Sequence, residues 1–585
     1  GSNIPNEPVN LTGIAGRFQA FRQILPRFTG DIQIISGGPV IASAAPYEIF
    51  ATPGSITFSW ETEEPGHSEV RYGITPDFEL GKVIDETPKT THTIVIEDLD
   101  PATVYKVQLR SAIGTDTSTT AKYITSTASP AGTTGEIRVY FSKSVDNGLA
   151  TYQEAVSNEN FSNRLISYIE AAEETAVFAF YSISGGVGDQ IANKIIEAHQ
   201  RGVDVRVIAS GHTGNPNAVI NKLSNAGVRA TLSLGNEQQH NKFAVIDAHH
   251  QDPTKSWLIT SSWNATDDGT FNQFQNMVNI QDVALARAYQ LEFNQMWGAE
   301  SGSFNAANAR FSENKVVVNP SAFWIGEDHT QVRLYFSPQA GTESQIIRAL
   351  ATATSTIDLG LNLITRRSIS NTMLSRFNDG VKVRGVIGQI SGQGSEWDYL
   401  SSWADVHHFS QAEFGLLHHK YAIIDGENTN DNTKVITGSH NWSNNANVFN
   451  DENTLIIYNG RVANEFLQEF AARYTQAGGQ DVFTAVSIAE NGDELPGSVS
   501  LGQNYPNPFN PATNIRFELN SEHTITLSVF DIMGRRVATL ADNRGYSAGE
   551  HTLTFDASSL SSGVYIYQLR LDNGQTFSRK MMLVK

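Results

Sequence analysis

A long internal repeat is the feature that most restricts how this chain can fold. Residues 137–142 (IRVYFS) recur as residues 332–337 (VRLYFS), and residues 201–208 (RGVDVRVI) are matched by residues 379–387 (DGVKVRGVI). In both copies apolar strands alternate with amphipathic helices, which predicts a mixed α/β sheet covered by helices on its faces. A unit of about 150 residues is too long for a solenoid repeat. The pattern therefore predicts a duplicated domain with halves at 137–331 and 332–480.

The sequence on either side of the repeat has β patterning. Short runs of alternating apolar and polar residues fill residues 46–127 and 503–585, separated by glycines and prolines typical of turns. Residues 1–45 show little pattern and are predicted to be an N-terminal extension, and the polar, acidic residues 481–502 are predicted to be a linker. The predicted fold is thus multidomain, with a duplicated α/β core between two all-β sandwich domains.

Each half contains a His-x-Lys-(x)4-Asp motif. The three fixed positions hold His240, Lys242 and Asp247 in the first half and His418, Lys420 and Asp425 in the second. Residues two apart point to the same face of a strand, so each imidazole is presented together with an ammonium group. Lysines can neutralise a phosphodiester without a metal, while one histidine attacks phosphorus and the other protonates the leaving alcohol. Each motif thus offers an acid–base group and a cation suited to a phosphodiester, with no cofactor and no metal needed to supply the charge.

A serine and an asparagine follow each motif at the same spacing. They are Ser262 and Asn264 in the first half and Ser439 and Asn441 in the second. We expect them to donate neutral hydrogen bonds to the substrate. With these additions the two motifs resemble the phospholipase D superfamily, over roughly residues 137 to 478. The resemblance implies one phosphodiesterase site that both halves build, and hydrolysis through a phosphohistidine. The motif residues and both asparagines are then the catalytic set, with the aspartates orienting the site.

The two halves differ where this superfamily usually has a carboxylate downstream of the motif. The second half has Glu452 there, which we place among the catalytic residues, and the first half has Gln275, which we place with the two serines as substrate-binding. A carboxylate beside a histidine raises the pKa of the imidazole, whereas a glutamine does not. If Glu452 supports His418 and Gln275 lies near His240, then His240 is the nucleophile and His418 the general acid. The usual order of the superfamily implies the same assignment.

Two further resemblances concern the β-rich ends of the chain. The strand around Trp60 and the turn leading to Tyr105 resemble a fibronectin type III domain, which we interpret as a spacer. Residues 503–511 (QNYPNPFNP) and 580–585 (KMMLVK) resemble the type A sorting domain of the type IX secretion system. That resemblance implies secretion machinery as a partner and a secreted or cell-surface location. The first residues, GSN, resemble the remnant of a removed tag, so we expect a signal peptide to have been replaced there.

Composition narrows the substrates and partners. The net charge of −20 disfavours indiscriminate binding to polyanions, and the absence of cysteine excludes disulfides and zinc–thiolate sites. No apolar run approaches the length of a membrane-spanning helix, so we predict no stable membrane insertion. We also predict a monomer. The histidine doublets at 249–250 and 407–408 are interpreted as loop residues, because no carboxylate or cysteine pattern accompanies them.

Three hypotheses about function remain open at this point. A nuclease is slightly favoured, because residues 438–443 (GSHNWS) and 450–453 (NDEN) resemble the small bacterial nucleases of the superfamily. A phospholipase D is the close alternative. The third is a surface adhesion protein with an idle catalytic core, which the β-rich ends favour and the intact motifs oppose.

Overall fold

The chain forms two compact units, Gly1–Val486 and Ser487–Lys585, each with its own core. The computed structural model describes residues 9–11, 14–18, 21–25, 32–36, 38–43, 47–212, 217–427, 432–483, 499–502, 504, 507, 509–519, 521–531, 536–560, 563–572 and 576–583.

The N-terminal part of the first unit is all β. Its strands are β1 Val9–Leu11, β2 Ile14–Phe18, β3 Phe21–Leu25, β4 Ile32–Ser36, β5 Glu48–Thr52, β6 Ser55–Gly73, β7 Gly81–Ile96, β8 Val104–Ile113, β9 Asp116–Thr119 and β10 Tyr123–Ser126. Trp60 lies in its core, and the Asp100 N–H donates a hydrogen bond to the Tyr105 hydroxyl at 2.9 Å, which closes the predicted turn. The likeness to a fibronectin type III domain stays a prediction.

The N-terminal extension is more regular than predicted. Strands β1 and β4 belong to the same sheet as β5–β10, in the order β1-β4-β9-β8-β6-β5, and β2 pairs with β3 as a hairpin. Strand β4 was not predicted because it pairs with a distant strand, β9, and its own residues carry only a short apolar run.

The first half of the repeat is a seven-stranded mixed sheet covered by helices. Its elements are β11 Ile137–Phe141, α1 Phe161–Ala171, β12 Thr175–Phe180, α2 Gly185–Gln200, β13 Asp204–Ala209, α3 Asn217–Asn225, β14 Arg229–Leu232, β15 Lys242–Ile246, β16 Trp257–Ser261, α4 Asp267–Phe271, β17 Asn276–Ile280 and α5 Val283–Trp297. The strand order is β11-β17-β16-β15-β12-β13-β14. Strand β12 runs parallel to β13 and antiparallel to β15, so the sheet is mixed as predicted.

The second half repeats this order and adds one strand at the edge. Its elements are β18 Ala322–Ile325, β19 Thr330–Ser337, α6 Thr342–Ala351, β20 Thr356–Leu361, α7 Arg367–Asn378, β21 Lys382–Ile387, α8 Trp397–Leu400, β22 Asp405–His408, α9 Gln411–Phe414, β23 Lys420–Ile424, β24 Lys434–Gly438, α10 Asn444–Val448, β25 Glu452–Tyr458 and α11 Gly460–Gln476. The strand order is β18-β19-β25-β24-β23-β20-β21-β22. The doublet His407-His408 ends strand β22 rather than lying in a loop, because residues 405–408 pair in parallel with β21.

The two motif strands lie near the middle of their sheets, and the halves share a core. Every residue of β15 and β23 is buried, which agrees with their apolar FAVI and YAII segments. One apolar cluster combines side chains of both halves, including Phe243, Tyr421 and residues of helices α5 and α11. Helices α1–α3 cover the other face of the first sheet, and α6 and α7 cover that of the second. This packing places the two motif strands against one shared apolar core.

The C-terminal unit is all β. Its strands are β26 Ser500–Leu501, β27 Ala512–Leu519, β28 His523–Asp531, β29 Arg536–Tyr546, β30 Gly549–Asp556, β31 Gly563–Leu571 and β32 Thr576–Leu583. They form sheets of order β26-β27-β30 and β29-β28-β31-β32 around a common apolar core. Most of the predicted linker and parts of the sorting signature, including residues 532–535 and 584–585, lie outside the described residues. In the described part of the whole chain, no helix has the length and hydropathy to cross a membrane.

Candidate active site

The two motif histidines and lysines are buried at the start of strands β15 and β23. The exposed fraction is 5% for His240, 3% for Lys242, 7% for His418 and 2% for Lys420. In each motif the lysine Nζ donates to the carbonyl oxygen of its own histidine, at 2.8 Å for Lys242 and 2.6 Å for Lys420. This local bond holds each ammonium group beside its imidazole, as the spacing predicted.

Each histidine takes its side-chain partner from the other half. His240 Nδ1 lies 2.7 Å from Glu452 Oε2, and His418 Nδ1 lies 2.9 Å from Gln275 Oε1 and 3.0 Å from the Ser262 carbonyl oxygen. The pairing assumed from the sequence, with Glu452 beside His418 and Gln275 near His240, is therefore not the one that the structure has. A glutamine beside His240 is thus no ground for making His240 the nucleophile.

Backbone hydrogen bonds between the halves produce this crossed arrangement. The His240 N–H donates to the Asp451 carbonyl and the Asp451 N–H donates to the Gln238 carbonyl, both at 2.9 Å. In the same way the His418 N–H donates to the Phe274 carbonyl at 2.9 Å. The segment before each motif thus runs alongside the segment that carries the other half's Glu or Gln. The local sequence of either segment has no signal for that pairing.

The two serines hold the histidine partners rather than the substrate. Ser439 Oγ donates to Glu452 Oε2 at 2.7 Å, and Ser262 Oγ donates to Gln275 Oε1 at 3.0 Å. Both serines and Gln275 are fully buried, which corrects their prediction as substrate-binding residues.

The two asparagines are better placed to meet a ligand. Asn264 and Asn441 are half-buried, and their Oδ1 atoms have no hydrogen-bond partner among the described residues.

The motif aspartates lie at the far end of the strands, away from the histidines. Asp247 accepts hydrogen bonds from the backbone N–H groups of residues 173–175, at 2.7–2.8 Å. Asp425 accepts equivalent bonds from residues 354–356. Both adopt left-handed φ angles, 51° and 54°, which Asp tolerates better than most residues. Four residues of strand separate each from its lysine, so the aspartates stabilise the fold and do not orient the catalytic groups.

Burial and mutual repulsion favour neutral imidazoles in the free protein. Burial lowers the pKa of His240 well below its usual value, and Lys242 and Lys420 lower it further. Burial, then Lys420 and Lys242, likewise lowers the pKa of His418. Both histidines therefore respond to both lysines, which is expected of one shared site. Burial also lowers the pKa of Lys242 to about 7 and raises that of Glu452 to about 7.

Two residues of this region were not predicted from the sequence. The ring of Tyr181 lies 4.3 Å from that of His240 between centroids, and Lys242 Nζ lies 4.6 Å from the Tyr181 ring centroid. Tyr181 directly follows β12, so its position after a predicted apolar strand was the available signal. His440 is buried between Ser439 and Asn441, both ring nitrogens lack a partner among the described residues, and burial lowers its pKa to about 4.

The described ranges contain no group of three or more His, Asp or Glu side chains arranged to hold a metal ion. The buried ammonium groups of Lys242 and Lys420 are the cations that this site offers to a phosphate. A metal-free reaction stays a prediction.

Comparison with protein families matches both parts of the chain. A family described as "Cardiolipin synthase, PLD-like domain" matches residues 165–297 and 346–474, one stretch in each half. A family described as "Secretion system C-terminal sorting domain" matches residues 503–585.

Individual relatives cover parts of the chain. The mitochondrial cardiolipin hydrolase of Xenopus laevis is 30% identical over 140 residues, which is 23% of this chain and 60% of that relative. Among solved structures, phosphatidylserine synthase from Haemophilus influenzae Rd KW20 has a TM-score of 0.39 at 14% identity. The match covers 54% of this chain and 83% of the synthase chain. The phospholipase D family member Nuc from Salmonella typhimurium has a TM-score of 0.23 at 25% identity. The match covers 26% of this chain and 99% of the Nuc chain.

Proposed function

We propose that this chain, which belongs to the phospholipase D superfamily and carries a sorting domain for export to the cell surface or beyond, hydrolyses phosphodiester bonds at one site shared by its two halves. The crossed partnership carries the proposal: His240 depends on Glu452 of the second half, and His418 on Gln275 of the first. Neither half supplies a histidine with its own partner. Two identical motifs can therefore act as unlike halves of one acid–base pair.

The first step forms a phosphohistidine on His240. Glu452 accepts the Nδ1 hydrogen, which leaves the Nε2 lone pair free to attack phosphorus. Binding of the anionic phosphate favours the protonated form of His418, which then carries hydrogens on both Nδ1 and Nε2. As the N–P bond forms, the bond from phosphorus to the leaving oxygen breaks, and His418 transfers its Nε2 proton to that oxygen. The phosphorylated imidazole becomes positively charged, and the Glu452 carboxylate offsets this charge. With the Glu452 carboxylate beside it, His240 is the better nucleophile of the two histidines.

The second step releases the product. His418, now without its Nε2 proton, takes a proton from water while the water oxygen bonds to phosphorus and the N–P bond breaks. Throughout, the ammonium groups of Lys242 and Lys420 neutralise the phosphoryl oxygens in a site where burial strengthens their attraction. The reaction regenerates both histidines and consumes one water.

The substrate is a nucleic acid in our first proposal and a phospholipid in our second. The second half, with residues 438–443 (GSHNWS), resembles the small bacterial nucleases of the superfamily, which supports the first. The net charge of −20 then limits binding to weak or local contacts. Curated relatives named mitochondrial cardiolipin hydrolase support the second. An idle adhesion protein is disfavoured, because both pairs of histidine and lysine and their partners remain together.

A panel of substrates tests the proposal. Single-stranded and plasmid DNA, RNA, cardiolipin and phosphatidylcholine vesicles, and bis(p-nitrophenyl) phosphate are each incubated with the protein in EDTA. We expect hydrolysis of the chromogenic diester and of one natural class, and loss of at least about 10²-fold in both His240→Ala and His418→Ala.

Retention of more than a tenth of the rate in either variant would contradict a shared site, and activity that requires zinc or calcium would contradict the metal-free mechanism. Acid quenching followed by peptide mapping should find the phosphoryl group on His240. An adduct on His418 alone would reverse the two roles.

A further inference from the structure

The two half-sites differ in one residue that the duplication places in equivalent positions. Phe180 pairs with Lys242 across strands β12 and β15, and Leu361 pairs with Lys420 across β20 and β23. The residue that follows is Tyr181 in the first half and Asn362 in the second. Bridges from Ile183 to Ala265 and from Ile364 to Trp442 keep the same register. The fold therefore puts an aromatic ring on the His240 side and an amide on the His418 side.

Tyr181 is held in place but is not enclosed. The neighbouring Ser182 carbonyl accepts a hydrogen bond from the Ala265 N–H at 3.0 Å, which fixes the backbone. The Tyr181 ring is half-buried and meets the His240 ring edge-on at 65°. Its hydroxyl makes no hydrogen bond within the described ranges. By contrast, Asn362 is 5% exposed and accepts a hydrogen bond from Gln389 Nε2 at 3.3 Å.

We propose that Tyr181 is a specificity-determining residue, against which a nucleobase on the retained side of the substrate stacks. This inference rests on the proposed function, with His240 as nucleophile. In-line attack sends the leaving oxygen toward His418, so the group that stays on phosphorus remains beside His240 and its neighbour Tyr181. A half-exposed aromatic ring fixed at the end of a strand is the kind of platform on which any base can stack. The polar His418 side then accepts leaving groups with or without a base.

The experiment varies the retained group while keeping the leaving group constant. Thymidine 5′-(p-nitrophenyl phosphate) and methyl p-nitrophenyl phosphate both release p-nitrophenol, and kcat/KM is measured for each. The variants are Tyr181→Asn, which installs the residue of the second half, and Tyr181→Phe, which keeps the ring. We expect Tyr181→Asn to lower the thymidine-to-methyl ratio of kcat/KM by about 10- to 100-fold, the loss of one base–aromatic stack. Tyr181→Phe should keep that ratio within threefold.

The ratio separates substrate contact from a structural role. If Tyr181→Asn lowers kcat/KM for both substrates by the same factor, the residue only positions His240 and Lys242, and the proposal is overturned. An unchanged ratio with unchanged rates also overturns it, because the ring then touches neither group. If the wild-type protein hydrolyses only the methyl diester and phospholipid vesicles, the inference fails while a phosphodiesterase remains. If it hydrolyses none of them, the proposed function itself fails.

Discussion

Replacing Glu452 with glutamine tests the crossed arrangement most directly. Glu452→Gln gives His240 the same kind of partner that His418 already has in Gln275, and it keeps an acceptor for Ser439. The variant removes only the negative charge that offsets the phosphorylated imidazole. We expect slower formation of the phosphohistidine with little change in folding.

The size of the loss follows from the geometry. Glu452 Oε2 lies 2.7 Å from His240 Nδ1 in a fully buried setting. A hydrogen bond to a charged group contributes about 1.5–3 kcal/mol, and two unit charges about 4 Å apart attract by about 4 kcal/mol at an effective dielectric constant of 20. A loss of about 1.5–4 kcal/mol corresponds to a rate reduction of roughly 10- to 10³-fold.

The pH dependence gives the prediction a second readout. Burial raises the pKa of Glu452 to about 7, so the carboxylate is ionised above pH 7 and protonated below it. The difference in phosphorylation rate between wild type and Glu452→Gln should therefore be largest near pH 8. It should shrink as the pH falls through 7, because the protonated acid resembles the amide. Rapid-quench measurement of the phosphorylated intermediate across this range is the assay.

Two results would refute this reasoning. One is a rate loss of less than threefold at pH 8. The other is a loss that is larger at low pH than at high pH. The matched control is Gln275→Glu, which puts a carboxylate beside His418 instead and should slow phosphorylation by less than tenfold. If the control is the more damaging of the two at pH 8, the nucleophile is His418.

Three further predictions follow from the buried lysine, the motif aspartates and the separate C-terminal unit. Burial lowers the pKa of Lys242 to about 7, so kcat/KM of the wild type should fall as the pH rises through 7. The variant Lys242→Arg should move that decline to higher pH, because the guanidinium stays charged. Identical pH profiles of the two proteins would contradict a role for this ionisation. Asp247→Asn should lower the free energy of unfolding by about 1–3 kcal/mol, measured by urea denaturation, and leave kcat/KM within threefold; a catalytic loss without a stability loss would return the aspartate to the active site. A chain ending at residue 486 should keep its hydrolytic rate and lose export, measured by activity assay and cell fractionation; a folded but inactive product would show that the second unit contributes to catalysis.

Repetition in the sequence was enough to predict the α/β halves, the motif strands and the placement of lysine beside histidine. These features depend on local patterns: the FAVI and YAII segments are buried strands, and residues two apart share a face. The PLD-like and sorting families were also identified correctly, because their signatures are continuous in the chain.

The partners of the histidines could not be predicted in this way. Glu452 lies 212 residues from His240, and its approach depends on how the two sheets pack rather than on any local preference. The same limit explains why Ser262 and Ser439 were predicted to bind substrate, since their burial behind the histidine partners is a tertiary property. Strand β4 was missed because it is completed by pairing with the distant strand β9.

The crossed partnership has a consequence for how a duplicated enzyme can diverge. In such an arrangement, a substitution in one copy alters the chemistry of the histidine in the other and leaves both motifs intact. A single difference, glutamine at 275 against glutamate at 452, suffices to make one imidazole face a neutral amide and the other a carboxylate. Specialisation of two once-equivalent sites then requires no change to the residues that perform the reaction, and a family comparison restricted to the motifs would overlook it.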